Sequence, residues 1–580
     1  MLSKRVLVVA GLAVCVALVA LYLLGPSGSV PAGAPSEDEM ASSVGAPIME
    51  LISQGHVPDR SGELLLVPKP HSFLLGRPDL TLLGTDEPIP GSSHPNPWDY
   101  TVRVPIVLYG EGHVPAGERI DDPVDITGLA PTYARMLGTS FEADGEPLPG
   151  VEPAPRPPRA IVTVVMDGGG WNVLQQHPSS WPTIERLMRE GTLYTNATIG
   201  SAPSITGALH ATFGTGDYPA AHGIPGNQLR DEKGENVDAY LEEADPRYLR
   251  SPTIAELWDE RNGNRPVVGT VSYEGWHLGM IGHGAQREGG DKDIAALWDV
   301  KKNEWWINEE YYELPSYLQE TDLKRLQSYE EELDARDGIE DGRWFSDTIA
   351  EIQRPLEDLG HTTRPGTPAF VRFTGDAVAD VLRNEDVGKD AVTDMIWVEM
   401  KMPDYAGHRW NMVSPEEADV LEETDTQIAR LVRLLDEQVG RGNYVFGVSA
   451  DHGQQPLPDV HGGWRINTAE LEDDLESRFG PFIEKVTTVD LFVDRDYVEQ
   501  EGLDLGRVAS YLGTYTIGDN IPEGQPGADR VPEAILDDTI FAGAFSTDYI
   551  RALDDERIRS FGEGDYEEGK LVVEKRGPDG

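Results

Sequence analysis

Residues 160–170 read AIVTVVMDGGG: an apolar, partly β-branched run from Ala160 to Met166, then Asp167, then three glycines. The run is too short for a core helix and has no polar alternation, which predicts a strand buried on both faces. Similar runs are Arg103–Tyr109 (RVPIVLY), Pro266–Val271 (PVVGTV), Met395–Met400 (MIWVEM) and Tyr444–Val448 (YVFGV). Helical patterns such as Pro182–Arg189 and Ser414–Gln438 alternate with them. That alternation predicts an α/β fold with a mostly parallel sheet sandwiched by helices.

The segmentation follows from composition. Residues 1–25 read as a membrane anchor or signal segment, and the Gly/Pro/Ser-rich residues 26–47 as a flexible linker. A smaller segment, 48–146, is set apart by a Pro-rich stretch at 147–159. Residues 160–284 form the first part of the catalytic core, the irregular, aromatic and charged residues 285–385 a cap insertion, and 386–580 the rest of the core.

At the amino terminus, Lys4 and Arg5 precede an apolar stretch from Val6 to Gly25. About 20 residues span a bilayer core, and flanking positive charge favours an inside amino terminus. The expectation is an N-terminal transmembrane helix holding the catalytic part outside the cell membrane, with secretion after signal cleavage as the alternative. Cys15 is the sole cysteine, so disulfides, thiolate metal sites and cysteine nucleophiles are excluded from the body of the chain.

The 580 residues include 101 acidic and 48 basic ones, a formal net charge of -53. Such a surface repels phosphate backbones and excludes nucleic-acid polymers as partners. It fits a solvated acidic shell of the kind that works in high salt. Metal ligands must therefore be found by position and not by abundance.

Position is informative. In α/β sheets, ligands bind beyond the carboxyl ends of strands. The run 160–166 ends at Asp167; 395–400 leads to Asp404 and His408; 444–448 leads to Asp451 and His452. Carboxylates with imidazoles suit zinc, with manganese or iron as the lesser candidates. The stretch Ser201–Asn227 (SAPSITGALHATFGTGDYPAAHGIPGN) supplies a hydroxyl at a predicted helix start, Ser204 or Thr206. Free backbone N–H groups there favour an alkoxide and a phosphate, and a metal on the same oxygen lowers its pKa, although a plain N-cap is the simpler role.

Together these motifs resemble the alkaline phosphatase superfamily, in its type I phosphodiesterase/nucleotide pyrophosphatase branch. Thr206 stands ahead of Thr215-Gly216-Asp217-Tyr218-Pro219 and His222-Gly223-Ile224 in the register of that branch, which selects Thr206 over Ser204. The resemblance implies an alkaline-phosphatase-like fold and two divalent ions, zinc foremost. Asp167, Thr206, Asp451 and His452 would hold one; Asp404, His408 and a third histidine the other. It also implies that Thr206 is the nucleophile, that Asn227 hydrogen-bonds a phosphoryl oxygen, and that His222 is structural.

Two departures stand out. The family's third histidine normally follows the Asp-His-Gly motif in a recognisable segment; here His461 is the sole histidine after His452, and the matching segment lies at Gly91–Tyr100, with His94 in it. A circular permutation, with residues 48–140 as the family's carboxyl-terminal part placed first, makes His94 the third ligand and His461 the fallback. Second, the Lys/Arg pair that contacts the phosphoryl group in related monoesterases has no counterpart in Ser272–His277, where His277 reads as a packed loop residue. A diester monoanion needs less positive charge than a monoester dianion. The expected function is thus hydrolysis of phosphodiesters or nucleotide pyrophosphates through a phospho-threonine, acting on small phosphate esters or nucleotides. A phosphomonoesterase on the same site, and a tethered binding protein with a decayed site, are the alternatives.

Overall fold

A computed structural model describes residues 29–571 and 573, apart from 85–91, 154, 241–243, 300–301, 321–322, 346, 349–354, 357–360 and 363–365. Its main sheet contains β1 (Ile106–Tyr109), β2 (Glu118–Ile120), β3 (Ala160–Met166), β4 (Thr192–Tyr194), β5 (Val268–Val271), β6 (Asp293–Asp299), β7 (Glu304–Trp306), β8 (Asp394–Met400) and β9 (Tyr444–Ala450). Their spatial order is β7-β6-β5-β8-β3-β9-β1-β4-β2, with Tyr312–Glu313 alongside β6.

The centre of this sheet follows from its sequence. β3, β8 and β9 are buried at every position, as continuous apolar runs require when helices cover both faces. β5, β8, β3 and β9 run parallel. β1 is antiparallel to β9 and to β4. The sheet is therefore mixed though mostly parallel, with β1 and β7 running against the other strands. The apolar run of β1 marks burial, and burial is the same whichever way a strand runs.

Helices α1 (Thr206–Thr215), α2 (Pro368–Asn384), α3 (Met402–Trp410) and α4 (Pro415–Gln438) pack around the sheet. The Ser414 hydroxyl caps α4 by accepting from the Glu417 N–H, and Pro415 occupies its first turn, where no N–H is needed. Within 285–385, β6 and β7 extend the main sheet, and Trp298 and Trp305 pack on Phe373 of α2.

A second, four-stranded antiparallel sheet runs Ile483–Val486, Asp490–Val493, Leu64–Pro68, Phe541–Ser546. The strand from the amino-terminal segment thus sits inside a sheet otherwise built from the carboxyl-terminal third. Buried Arg230 fastens the join: it makes a two-pronged pair with Glu63 at 2.7 and 3.0 Å and donates to the carbonyl of Val493 at 2.6 Å.

The described structure gives no support to the expected N-terminal transmembrane helix, or to the membrane partner and tethered location built on it. Among the described residues no helix is long and apolar enough to cross a membrane. The longest, α4, is amphipathic, burying Leu421, Ile428 and Leu435 while Glu422 and Glu437 are exposed. The Val6–Gly25 stretch lies outside the described residues.

Candidate metal centre

Strand register builds the site. Met166 pairs with Met400 on one side and Ala450 on the other, so Asp167, Lys401 and Asp451 leave the sheet side by side. The Asp167 N–H donates to the Met400 carbonyl at 3.1 Å. Gly168 then turns with φ +70°, and a Cβ there would lie 2.9 Å from the Asp404 Cα, so a side chain is doubly unwelcome.

His94, Asp404 and His408 form one cluster. The Nε2 atoms of His94 and His408 lie 3.5 and 3.3 Å from Asp404 Oδ1. Their Nδ1 atoms face the carbonyls of Ser204 at 2.7 Å and Ser92 at 2.6 Å. A carbonyl only accepts, so each Nδ1 carries the proton and each Nε2 offers its lone pair to the cluster. His94 reaches this place because β1 is antiparallel: Ile106 pairs with Ser449, so the chain entering β1 passes the carboxyl ends of β3 and β9.

Asp167, Asp404 and His452 form a second cluster, and Asp451 adjoins it. His452 Nε2 lies 3.4 Å from Asp167 Oδ1 and 3.3 Å from Asp451 Oδ2. Its Nδ1 faces the Gly453 carbonyl at 3.0 Å. The rings of His94 and His452 stack at 3.6 Å, joining the two clusters.

Thr206 opens α1 and is buried. Asn227 Oδ1 accepts from the Gly207 N–H at 2.9 Å, which places the Asn227 amide beside the helix start. The Ser204 hydroxyl instead donates to the carbonyls of His94 and Asn96, tying two loops together. His461 is exposed and packs on His71, ring centres 4.8 Å apart, away from both clusters. His222 lies in the core against the Thr212 hydroxyl at 3.1 Å.

Four polar groups at the site were not selected from the sequence. Lys401 donates to Oδ2 of Asp167 and of Asp404, 2.8 Å from each, with its side chain 4% exposed. His210 and His277 are buried next to Asp167, and Glu399 is buried against His277. Lys401 shared the signal that found the acids, a polar residue just past a strand end.

Electrostatics follow burial. Burial, then the neighbouring Asp451, pushes the Asp167 carboxyl well above its ordinary range. Burial works the same way on Asp404, but His408, Lys401 and His94 outweigh it and hold that carboxyl well below its usual range. Burial drives His94 well below the ordinary imidazole value and lowers His452 also. Burial thus favours the neutral form of both imidazoles, the form a metal ligand requires.

The donor set fits divalent cations. Asp167 Oδ1, Asp451 Oδ2 and His452 Nε2 are buried with no hydrogen-bond partner, which is costly unless a cation occupies the space between them. The clusters suit one or two divalent ions.

The family described as "Type I phosphodiesterase / nucleotide pyrophosphatase" matches residues 161–537, which is more than half of the chain. The chain belongs to that family. Within the wider alkaline phosphatase superfamily it is 25% identical over 415 residues to alkaline phosphatase PafA of Elizabethkingia meningoseptica, covering 62% of this chain and 73% of PafA. It is 23% identical over 336 residues to alkaline phosphatase PhoV of Synechococcus elongatus, covering 52% and 60%. A protein of Myroides odoratus named "Calcium-transporting ATPase" is 26% identical over 371 residues, covering 56% and 66%. This family member thus spans less than two thirds of the Myroides and Synechococcus proteins. The crystal structure of PafA shares the fold, with TM-score 0.51 at 23% identity over 62% of this chain and 76% of that one. Family and clusters together make this chain a hydrolase of the phosphoesterase class.

Proposed function

We propose that this chain is a metal-dependent phosphomonoesterase that works through Thr206. Lys401 carries the reading: its ammonium is buried between Asp167 and Asp404, and ions held by those two carboxylates would free at the end of β8 the positive charge missing from Ser272–His277. A monoester dianion gains more from that charge than a diester monoanion does. The relatives PafA and PhoV, both named alkaline phosphatases, point the same way. The preference for diesters and nucleotide pyrophosphates drawn from the sequence gives way to this reading.

In this proposal Asp404, His408 and His94 hold one divalent ion, and Asp167, Asp451, His452 and Thr206 hold the other; zinc suits the mixed oxygen and nitrogen set best. When bound, the two ions supply positive charge for the entering and leaving oxygens. Thr206 Oγ1 attacks phosphorus, and the bond from phosphorus to the ester oxygen breaks. The leaving alcohol takes up a proton, and phospho-threonine forms. Water then cleaves that ester, releasing phosphate and restoring the hydroxyl. Asn227 donates from its side-chain nitrogen to a phosphoryl oxygen, and Lys401 holds another. His94 reaching the centre from ahead of residue 161 supports residues 48–146 as the family's closing segment placed first, with 160–284 and 386–580 as the two parts of the core.

The test is kcat/KM for an aryl phosphate and a bis-aryl phosphate, measured on the zinc-loaded wild type and Lys401→Gln. A higher monoester value that falls selectively in the variant supports the proposal. A wild-type preference for the diester contradicts it.

A further inference from the structure

Three carboxylates meet at the opposite edge of the main sheet from the metal centre. Asp293 opens β6, so it lies at the amino ends of the parallel strands, whereas Asp167 and Asp404 follow their carboxyl ends. Asp259 sits in the last turn of the helix Ile254–Arg261, and Asp291 on the loop that enters β6. One carboxylate oxygen of each lies within 4.8 Å of those of the other two. Asp259 and Asp293 are 4% and 8% exposed, while Asp291 reaches the surface.

Other buried acids of this chain are tied to backbone donors. Asp394 accepts from the Val267 and Gly388 N–H groups at 2.7 Å each, and Asp425 from those of Thr183 and Ile184 at 2.9 and 2.8 Å. Among the described residues, the carboxylates of Asp259, Asp291 and Asp293 have neither such a donor nor an ion-pair partner. Arg287, on the same loop, pairs with Glu260 instead at 3.4 Å. Asp259 Oδ1 is buried with no hydrogen-bond partner, on a carboxylate that faces the other two. The last turn of a helix is already negative, so a buried carboxylate there is unfavourable without a cation. Asn264 joins the two segments: its N–H donates to the Asp259 carbonyl at 3.0 Å and its side-chain nitrogen to the Gly289 carbonyl at 3.2 Å. Its Oδ1 is buried and unpartnered as well. Burial, then Asp291, pushes the Asp259 carboxyl up to about 7, and burial, then Asp259, raises Asp293 well above its ordinary range.

We propose that Asp259, Asp291 and Asp293 form a calcium site that clamps the loop entering β6, and with it the start of the 285–385 insertion, to the helix Ile254–Arg261. Ligands that are all oxygen select a hard cation over zinc. Magnesium keeps several of its waters, for which two buried carboxylates leave little space, whereas calcium takes about six to eight oxygens in flexible geometry. The site shares no residue with the phosphoesterase centre and does not rest on which ester is hydrolysed. A proton shared between Asp259 and Asp291 is the competing way to relieve the repulsion.

Calorimetric titration separates the two. The full chain, stripped with chelator and reloaded with Zn2+, is titrated with Ca2+ above neutral pH. One saturable equivalent is expected for the wild type and none for the double variant Asp259→Asn, Asp293→Asn. Calcium should also raise the Tm of the wild type and not that of the variant, because an ion bound only by the folded state stabilises it. Hydrolysis of an aryl phosphate, retained in the variant, shows that it has folded. No saturable calcium binding in the wild type, equal binding in the variant, or binding of magnesium alone overturns the site. Anomalous scattering from wild-type crystals grown with Ca2+ needs no variant. A peak among the three carboxylates is expected; crystals without one there overturn the site and leave the zinc centre untouched.

Discussion

His94 Nε2 stands 3.5 Å from Oδ1 of Asp404, although one residue precedes every strand of the main sheet and the other follows β8. The antiparallel course of β1 makes the meeting possible. If His94 and not His461 completes the cluster, His94→Ala loses one equivalent of zinc or weakens its binding by at least about 100-fold. His461→Ala keeps full occupancy. Equilibrium dialysis against zinc checks both, and full occupancy in the His94 variant contradicts the assignment.

Lys401→Gln removes the buried charge while keeping similar bulk. Loss of one donor aimed at a reacting oxyanion costs about 10²–10³ in rate. That drop is expected in kcat/KM for the monoester, with a smaller one for the diester. An equal loss on both substrates means that Lys401 serves the ligand shell and not the phosphoryl group.

Much of this centre was legible because strand ends leave a local signature. Asp167, Asp404 and Asp451 each follow an apolar run, and pairing of Met166 with Met400 and Ala450 brings those runs level. The direction of β1 was not legible, since an apolar run encodes burial and not orientation. Lys401 was missed for a different reason: a lone lysine beside methionines reads as a solvated charge, and only the converging carboxylates of Asp167 and Asp404 give it a buried partner. His277 read as loop packing because its neighbours His210 and Glu399 come from distant elements. The Glu63–Arg230 pair was invisible for the same reason.

That pair is a stability element. Arg230 has its side chain 1% exposed and joins Glu63, Glu484 and the Val493 carbonyl across two segments of the chain. Breaking a buried pair by removing one partner costs about 3–5 kcal/mol. Glu63 keeps Arg495 and the Val493 N–H, so Arg230→Met is expected near the lower end. Urea unfolding of the variant checks this; an unchanged midpoint contradicts it.

Acid stability should carry the mark of His222. Burial pushes this imidazole down from 6.5 to about 3. Between those values the unfolded chain binds a proton that the folded chain does not. Stability is therefore present above pH 6.5 and lost as pH falls toward 3, at up to about 1.4 kcal/mol per pH unit. His222→Asn removes the titration, so its unfolding midpoint should fall less steeply between pH 6 and 4 than that of the wild type. Parallel slopes contradict the assignment.

The central claim is tested most directly at Thr206 itself. Zinc-loaded wild type, mixed with an aryl phosphate and quenched in acid during turnover, is digested and analysed by mass spectrometry. Phosphate on Thr206 is predicted, together with loss of turnover in Thr206→Ala. Turnover retained in Thr206→Ala, or phosphate trapped on Ser204 instead, would contradict the account.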